Sequence, residues 1–231
     1  MEFEVAQIDW QSNAGRLLDR FLAALPVQPC LEITVFGSAP LQLLVDGAFL
    51  SADVDLFVSE EFLPVLEQFI RDQGLGQGQT DLYIQVSHPI AFRSTIDWPL
   101  RAVQVERAGH ILRFVHPWDV LVSKLQRLEE KDIDAFRLVI QKTGHPTEAE
   151  FLLHLQKAVD LYRPRFDEET QRGDMLLNTQ ILWNELWKRP IDPRVEIIRP
   201  SLLKTAAAHA NYDPTLKAKL GAIGGNRADS I

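Results

Sequence analysis

Four residues carry the most chemical information in this chain: Gly37 and Ser38, then Asp53 and Asp55. They sit in the runs Ile33-Thr34-Val35-Phe36-Gly37-Ser38 and Ala52-Asp53-Val54-Asp55-Leu56-Phe57-Val58. On a strand, residues i and i+2 project from one face, roughly 6 to 7 Å apart. Asp53 and Asp55 can therefore grip one ion, while Val54 and Leu56 point into a core. Mg2+ prefers oxygen ligands in a near-octahedral shell and commonly takes one or two carboxylates plus substrate phosphates. Glycine at position 37 permits a sharp turn and close approach of a ligand to the backbone. The amides that open a helix after Ser38 would face a triphosphate with the positive end of the helix dipole. Each half has an ordinary reading too: Asp-x-Asp occurs on strand edges and Gly-Ser in turns. Their joint order and spacing between two apolar strands is what points to metal and phosphate.

A second stretch adds cations. Pro117 opens a predicted helix in which Trp118, Leu121, Leu125 and Leu128 recur at spacings of three and four, giving one apolar face. Lys124, Arg127 and Lys131 fall on an adjoining stripe, where like charges repel unless an anion or carboxylates lie over them. Two readings follow. One is a solvated face neutralised by Glu130, Asp132 and Asp134, which suits Arg127 and Lys131. The other is a phosphate clamp, which suits Lys124.

The segment Ile33 to Val58 resembles the minimal nucleotidyltransferase fold of the DNA polymerase β superfamily, whose signature is Gly-Gly or Gly-Ser followed by Asp-x-Asp. The stretch from His116 to Phe136 is similar to the helix pair of abortive-infection nucleotidyltransferase toxins and their relatives. The resemblance covers about residues 30 to 140. It implies Mg2+ or Mn2+ held by Asp53 and Asp55, a nucleoside triphosphate cradled by Gly37 and Ser38, and Lys124 against its phosphates. The implied activity is transfer of a nucleoside monophosphate to an acceptor hydroxyl on RNA, a protein or a small molecule, with an antitoxin as a candidate partner. Two positions depart from the pattern. Relatives commonly have arginine in an Arg-x-Thr-x-Asp-x-Asp context, and here the corresponding residues are Phe49, Ser51, Asp53 and Asp55. Many also place a third carboxylate on the next strand, where this chain offers Gln85 within Leu82 to His88. A glutamine can ligate metal through its carbonyl oxygen but cannot take a proton. Asp81, Asp97 and Glu106 are alternative sources of an acid. A catalytically silent protein that binds nucleotide, RNA or a protein partner is the competing expectation, and an interaction module with a fortuitous Asp-x-Asp is a third.

The elements that must position these residues fall into two parts. Strand-like runs at Ile33 to Phe36, Asp53 to Val58, Tyr83 to Val86, Ala102 to Glu106 and Ile111 to Val115 alternate with helical ones. Phe62, Leu66, Phe69 and Ile70 mark one of these helices, and Asn13 to Ala24 another. Ala108-Gly109 reads as a tight turn between antiparallel strands. The expected fold is α+β: a small mixed sheet with packed helices over residues 1–116, a helical region over 117–220 and a flexible tail over 221–231. Leu176, Leu177, Ile181, Leu182, Leu186 and Trp187 form an expected core stripe, and Val195 to Ile198 is ambiguous between strand and helix. Arg163, Arg165 and Arg172, mixed with acids, read as exposed surface.

Composition sets the bounds. With 231 residues, 46% hydrophobic and 24% charged, the chain has an ample core. No apolar run approaches the roughly 20 residues that span a bilayer, and Met1-Glu2-Phe3-Glu4 lacks a signal-peptide pattern; the expected location is cytoplasmic, with no membrane partner. Cys30 is the sole cysteine and its apolar setting predicts a buried thiol. A net charge of −8 argues against a general nucleic-acid coat, which needs Lys and Arg to neutralise phosphates. The six histidines are scattered without zinc-site spacing. No Walker-type lysine follows a glycine loop, and Gly74, Gly76 and Gly78 follow a helix and read as a turn.

Overall fold

The computed structural model describes residues 7–163 and 174–210. The fold is α+β: a five-stranded mixed sheet with helices, followed by a mainly helical C-terminal region. The elements are α1 (Asn13–Ala24), β1 (Glu32–Phe36), α2 (Ala39–Leu44), β2 (Asp53–Phe57), α3 (Leu63–Asp72), β3 (Tyr83–Val86), β4 (Val103–Arg107), β5 (His110–Phe114), α4 (Pro117–Leu125), α5 (Glu130–Thr143), α6 (Glu148–Lys157), α7 (Met175–Trp187) and α8 (Arg199–Ala210).

Strand order is β3-β2-β1-β5-β4. β1 pairs antiparallel with β2 and parallel with β5, β2 runs parallel to β3, and β4 is antiparallel to β5. Ala108 (φ 52°) and Gly109 (φ 82°) both take positive φ between β4 and β5. That is the combination a two-residue hairpin turn with the native strand twist requires.

Alternation on the strands divides the protein into two packed cores. Val54, Leu56, Ile33, Val35, Ile84, Leu112 and Phe114 turn to one sheet face and pack on α1 and α3. Ser12 caps α1, its hydroxyl accepting from Gly15 N at 3.1 Å, and Leu17, Leu18, Phe21 and Leu22 bury the helix's apolar stripe. The opposite face carries Phe36, Phe57, Asp53 and Asp55. Phe36 joins a second core built on Leu41, Phe92, Val120, Leu121, Leu125, Phe136, Phe151, Leu182 and Trp183. The aspartates thus lie where sheet and helical region meet.

Several expectations need correction. Cys30 is exposed, not buried, because it lies in the loop just before β1 rather than on the strand. On α7 the buried positions are Met175, Asn178, Thr179, Leu182 and Trp183. Leu182 is buried and Leu176, Leu186 and Trp187 pack against the second core as expected, whereas Leu177 and Ile181 face outward. α4 ends at Leu125, and Leu128 takes φ 47° in the turn to α5, so it is not part of that helix face. Residues Arg194–Ile198 form a helical turn of π type rather than a strand. Arg165, Arg172 and the 221–231 tail lie outside the described residues. Among the described residues no helix is long and apolar enough to cross a membrane.

Candidate metal and phosphate site

β1 is a central strand, and it delivers Gly37 and Ser38 from its C-terminal end into a turn. Gly37 has φ 66°, in the left-handed region that costs other residues free energy. A Cβ placed there would lie 2.0 Å from Asp55 Oδ2. Only glycine lets the turn lie against the carboxylate. The register pairs Phe36 with Asp55, which fixes that approach. α2 then begins at Ala39 with Pro40 in its first turn, as the sequence predicts. At six residues it is short, so anion attraction here rests on side-chain charge more than on a helix dipole.

On β2 the burial pattern alternates, with Val54 and Leu56 inside and Asp53 and Asp55 on the other face. Burial pushes the Asp55 carboxyl up to about 7, and the neighbouring Asp53 charge adds to this, against the pull of Lys124 and Arg127. Desolvation and a like charge both penalise the ionised form. The pair is a dense acidic site whose own cations do not balance it.

Those cations come from α4 and the turn after it. Pro117 occupies the first turn of α4 and His116 caps it, its Nδ1 accepting from Trp118 N at 3.2 Å. Val120, Leu121 and Leu125 bury the helix, and this docking carries Lys124 inward until its side chain is only 8% exposed. Lys124 Nζ donates to Ser38 Oγ at 3.0 Å and to Asp132 Oδ1 at 2.9 Å. Arg127 grips the same carboxylate, Nε to Oδ2 at 3.1 Å and a terminal nitrogen to Oδ1 at 3.0 Å. Asp132, fully buried, also accepts from the Glu129 amide at 3.1 Å, at the start of α5. Burial opposes its ionisation, but Arg127 and Lys124 hold it below the usual carboxylate range.

Together these residues line a cleft of about 460 Å3, with Gly37, Ser38, Asp53, Asp55, Lys124 and Arg127 among its walls. The volume falls in the range of small-molecule sites. Gln85 is placed differently. It is registered beside Asp55 on β3 but is exposed and lines a neighbouring cavity together with Tyr83. Tyr83, registered on Asp53, donates its hydroxyl to Asp53 Oδ2 at 3.5 Å.

The alternative acids do not join the site. Asp97 is tied to Arg101 and Lys157, Glu106 sits on the far edge strand, and Asp81 is exposed outside the cleft lining. Among the described residues no group of three or more His, Cys, Asp or Glu is arranged to hold a metal. Phe49, at the position where relatives carry arginine, packs against the second core.

The sequence pattern brought Gly37, Ser38, Asp53, Asp55 and Lys124 to one cleft. Asp132, expected as a neutraliser on a solvated face, does neutralise these cations, but it is fully buried and holds Lys124 as well as Arg127. The signal was available in Lys124, Arg127 and Asp132 spaced by three and five, but only the turn at Leu128 folds Asp132 back onto both cations. The other expected neutralisers go elsewhere: Asp134 pairs with Arg137 at 2.9 Å. Lys131 pairs with Glu129 and stays 67% exposed, as the solvated-face reading expects.

A second buried carboxylate, Asp119 of α4, was not anticipated. It is fully buried and receives Ser94, Thr95 and Arg101, the last through Nε and a second nitrogen, both at 2.9 Å. His154 Nε2 of α6 lies 3.3 Å away. This knot ties the segment after β3 to α4 and α6. Gln126 donates to the Arg93 carbonyl at 2.9 Å and also lines the cleft, so the same segment forms one of its walls.

Comparison with protein-family models, with curated proteins and with solved structures finds no match for this chain.

Proposed function

We propose that this protein is a divalent-metal-dependent nucleotidyltransferase, moving a nucleoside monophosphate from a nucleoside triphosphate to an acceptor hydroxyl. The observation that carries the reading is the pairing of Asp53 and Asp55 on one strand face, pressed against the Gly37 turn and under-compensated by Lys124 and Arg127. The residues fit Mg2+ or Mn2+. Two adjacent carboxylates, one of them held back from ionising, form an incomplete oxygen shell of the kind that substrate phosphates complete. Asp53 and Asp55 would hold the ion, which when bound supplies charge neutralisation and polarises the phosphoryl group.

The chain's own residues do the rest. The Gly37 turn lies against the Asp55 carboxylate and fixes its place in the cleft wall. The Ser38 hydroxyl and the Lys124 ammonium meet the phosphates remote from the reacting centre, and Lys124 offsets charge that grows on the departing pyrophosphate. Asp132 holds the Lys124 ammonium in place through a hydrogen bond. Arg127 extends the positive wall. Burial of the site on one side by Phe36 and Val120 lowers the local dielectric and strengthens each of these interactions.

A second reading has one observation in its favour. Among the described residues no third acid faces the pair, and Gln85 cannot accept a proton, which suits a protein that binds nucleotide without transferring it. The experiment that separates the two is label transfer from each of four α-labelled nucleoside triphosphates, with Mg2+ or Mn2+, onto total RNA and total protein. An Asp53→Asn, Asp55→Asn double variant is the control. Label dependent on the aspartates supports transfer. Metal-dependent nucleotide binding without label supports the silent binder, and neither effect defeats both.

A further inference from the structure

We infer that Tyr83 is an acceptor: its phenolic hydroxyl takes a nucleoside monophosphate from the nucleotide bound in its own cleft. The inference rests on the nucleotidyltransferase reading and goes beyond it by naming an acceptor atom.

Strand order sets the geometry. Across three adjacent strands lie, in sequence, the Gly37–Ser38 turn at the end of β1, the Asp53 and Asp55 pair on β2, and Tyr83 on β3. Adjacent strands are about 4.8 Å apart, so the sheet lays out a phosphate side, a metal-binding centre and a third position along one direction. Phosphoryl transfer requires the attacking and leaving oxygens to be roughly in line on opposite sides of phosphorus. Lys124, bonded to Ser38, marks the side on which the pyrophosphate departs. The attacking hydroxyl must therefore come from over β3.

Tyr83 is already there. It is registered on Asp53, shares its sheet face, and donates its hydroxyl to Asp53 Oδ2 at 3.5 Å. That contact, at the outer limit of a hydrogen bond, places the phenolic oxygen beside the Asp53 carboxylate. The ring is half-buried, and β3 pairs with β2 over four residues, so the oxygen is held by a rigid element. In the step, Tyr83 Oη forms a bond to the α-phosphorus and the bond from that phosphorus to the β-phosphate bridging oxygen breaks. Pyrophosphate leaves with the bonding electrons, and the phenolic proton passes to water. Tyrosine and nucleoside triphosphate are thereby converted into tyrosyl nucleoside monophosphate and pyrophosphate.

The rival role for Tyr83 is to orient Asp53 while an external hydroxyl enters through the adjoining cavity of about 430 Å3. That cavity is lined by Tyr83, Gln85, Gln77, Gln79 and Arg71 among others. The two roles differ in where the nucleotide ends up.

The test is the intact mass of the purified full chain after incubation with each of the four nucleoside triphosphates and Mg2+ or Mn2+, followed by peptide mapping. The expected result is a gain of one nucleoside monophosphate per chain, located on Tyr83. Its rate should be independent of protein concentration, and Tyr83→Phe should abolish the gain while keeping metal-dependent nucleotide binding by calorimetry within threefold. A readout that needs no turnover is nitration of Tyr83. An α,β-methylene triphosphate with Mg2+ should cut the nitration rate at least fivefold, and neither component alone should do so. The inference is overturned if wild type labels an added acceptor but not itself, if the label maps elsewhere, or if Tyr83→Phe is labelled equally. Binding of metal and nucleotide with no mass gain also overturns it, yet leaves the cleft a nucleotide site. Absence of binding overturns the functional reading itself.

Discussion

Replacing Asp55 by asparagine should make the metal-free protein more stable at neutral and alkaline pH. The folded protein raises this carboxyl from 3.8 to about 7, through burial first and the Asp53 charge second. Between those values the folded state holds a proton that the unfolded chain releases. Stability therefore falls as pH rises through this window, with a limiting slope of about 1.4 kcal/mol per pH unit. Over roughly three units the ionised carboxylate costs the fold up to about 4 kcal/mol. Local relaxation and partial solvation reduce this, so a gain of about 2 kcal/mol for Asp55→Asn at pH 8 is the working figure, and about zero at pH 4. For a chain of this size that gain raises Tm by roughly 4 to 8 °C. The assay is urea and thermal unfolding of both proteins at pH 5, 6, 7 and 8, with and without Mg2+ or Mn2+. Metal should stabilise wild type, by about 1.4 kcal/mol at ten times Kd, and leave the variant unmoved. An Asp55→Asn protein that is less stable than wild type at pH 8, or one with the same pH slope, would refute the argument that this site is under-compensated.

Gly37→Ala should lower stability by at least about 1 to 2 kcal/mol from its left-handed backbone alone. It should also erase the stabilisation by metal, because the new Cβ would meet Asp55 Oδ2 at 2.0 Å; differential scanning fluorimetry with and without Mn2+ checks both. Asp132→Asn removes the charge that holds Lys124 and Arg127, at a cost of about 3 kcal/mol. The released cations should then pull the Asp55 carboxyl down from about 7 and flatten the pH slope of stability, read as urea midpoints across pH 5 to 8. Asp119→Asn should cost about 3 kcal/mol by breaking the buried ion pair with Arg101, which keeps only the more exposed Asp97 as an ionised partner, a fall in Tm on the order of 10 °C. Although burial opposes it, the donors His154, Arg101 and Ser94 hold the Asp119 carboxyl below its ordinary range. Its contribution is present above about pH 4 and fades as pH falls further, so wild type and variant should converge in acid.

The sequence was most legible where periodicity and function coincide. Asp53-Val54-Asp55-Leu56 alternates cleanly because one face of β2 meets a core and the other a polar cleft. The same alternation that identifies the strand places the two carboxylates together on its polar face. Lys124 was legible as one of three cations on a stripe, but its distinction from Arg127 and Lys131 is tertiary. Lys124 is buried at the base of the cleft, Arg127 is half-exposed, and Lys131 is solvated. α7 shows the opposite failure. Its leucines and tryptophans surround most of the helix, so hydrophobicity alone does not choose a face. The buried side instead includes Asn178 and Thr179, whose side chains bond to the Leu125 and Met175 carbonyls. Asp119 was illegible for a related reason. A carboxylate in the first turn of a helix is ordinary surface chemistry, and only the return of the segment after β3 and of α6 onto α4 buries it among donors.

That return also explains why the acidic pair is left short of positive charge. α4 brings Lys124 to the cleft, and the turn at Leu128 brings Asp132 up behind it, so the ammonium and the Arg127 guanidinium are shared with a buried carboxylate before they reach Asp53 or Asp55. Had α4 run on through residue 128, Asp132 would lie two turns from Lys124, and the lysine would be drawn to Asp55 as a simple internal ion pair. The pair would then carry less unbalanced negative charge. Asp132 takes hydrogen bonds of Lys124 and Arg127 that would otherwise be open to the aspartates. On the proposed reading, the carboxylates of β2 are thereby left for an ion that arrives from solution, and the positive wall for the anion that arrives with it.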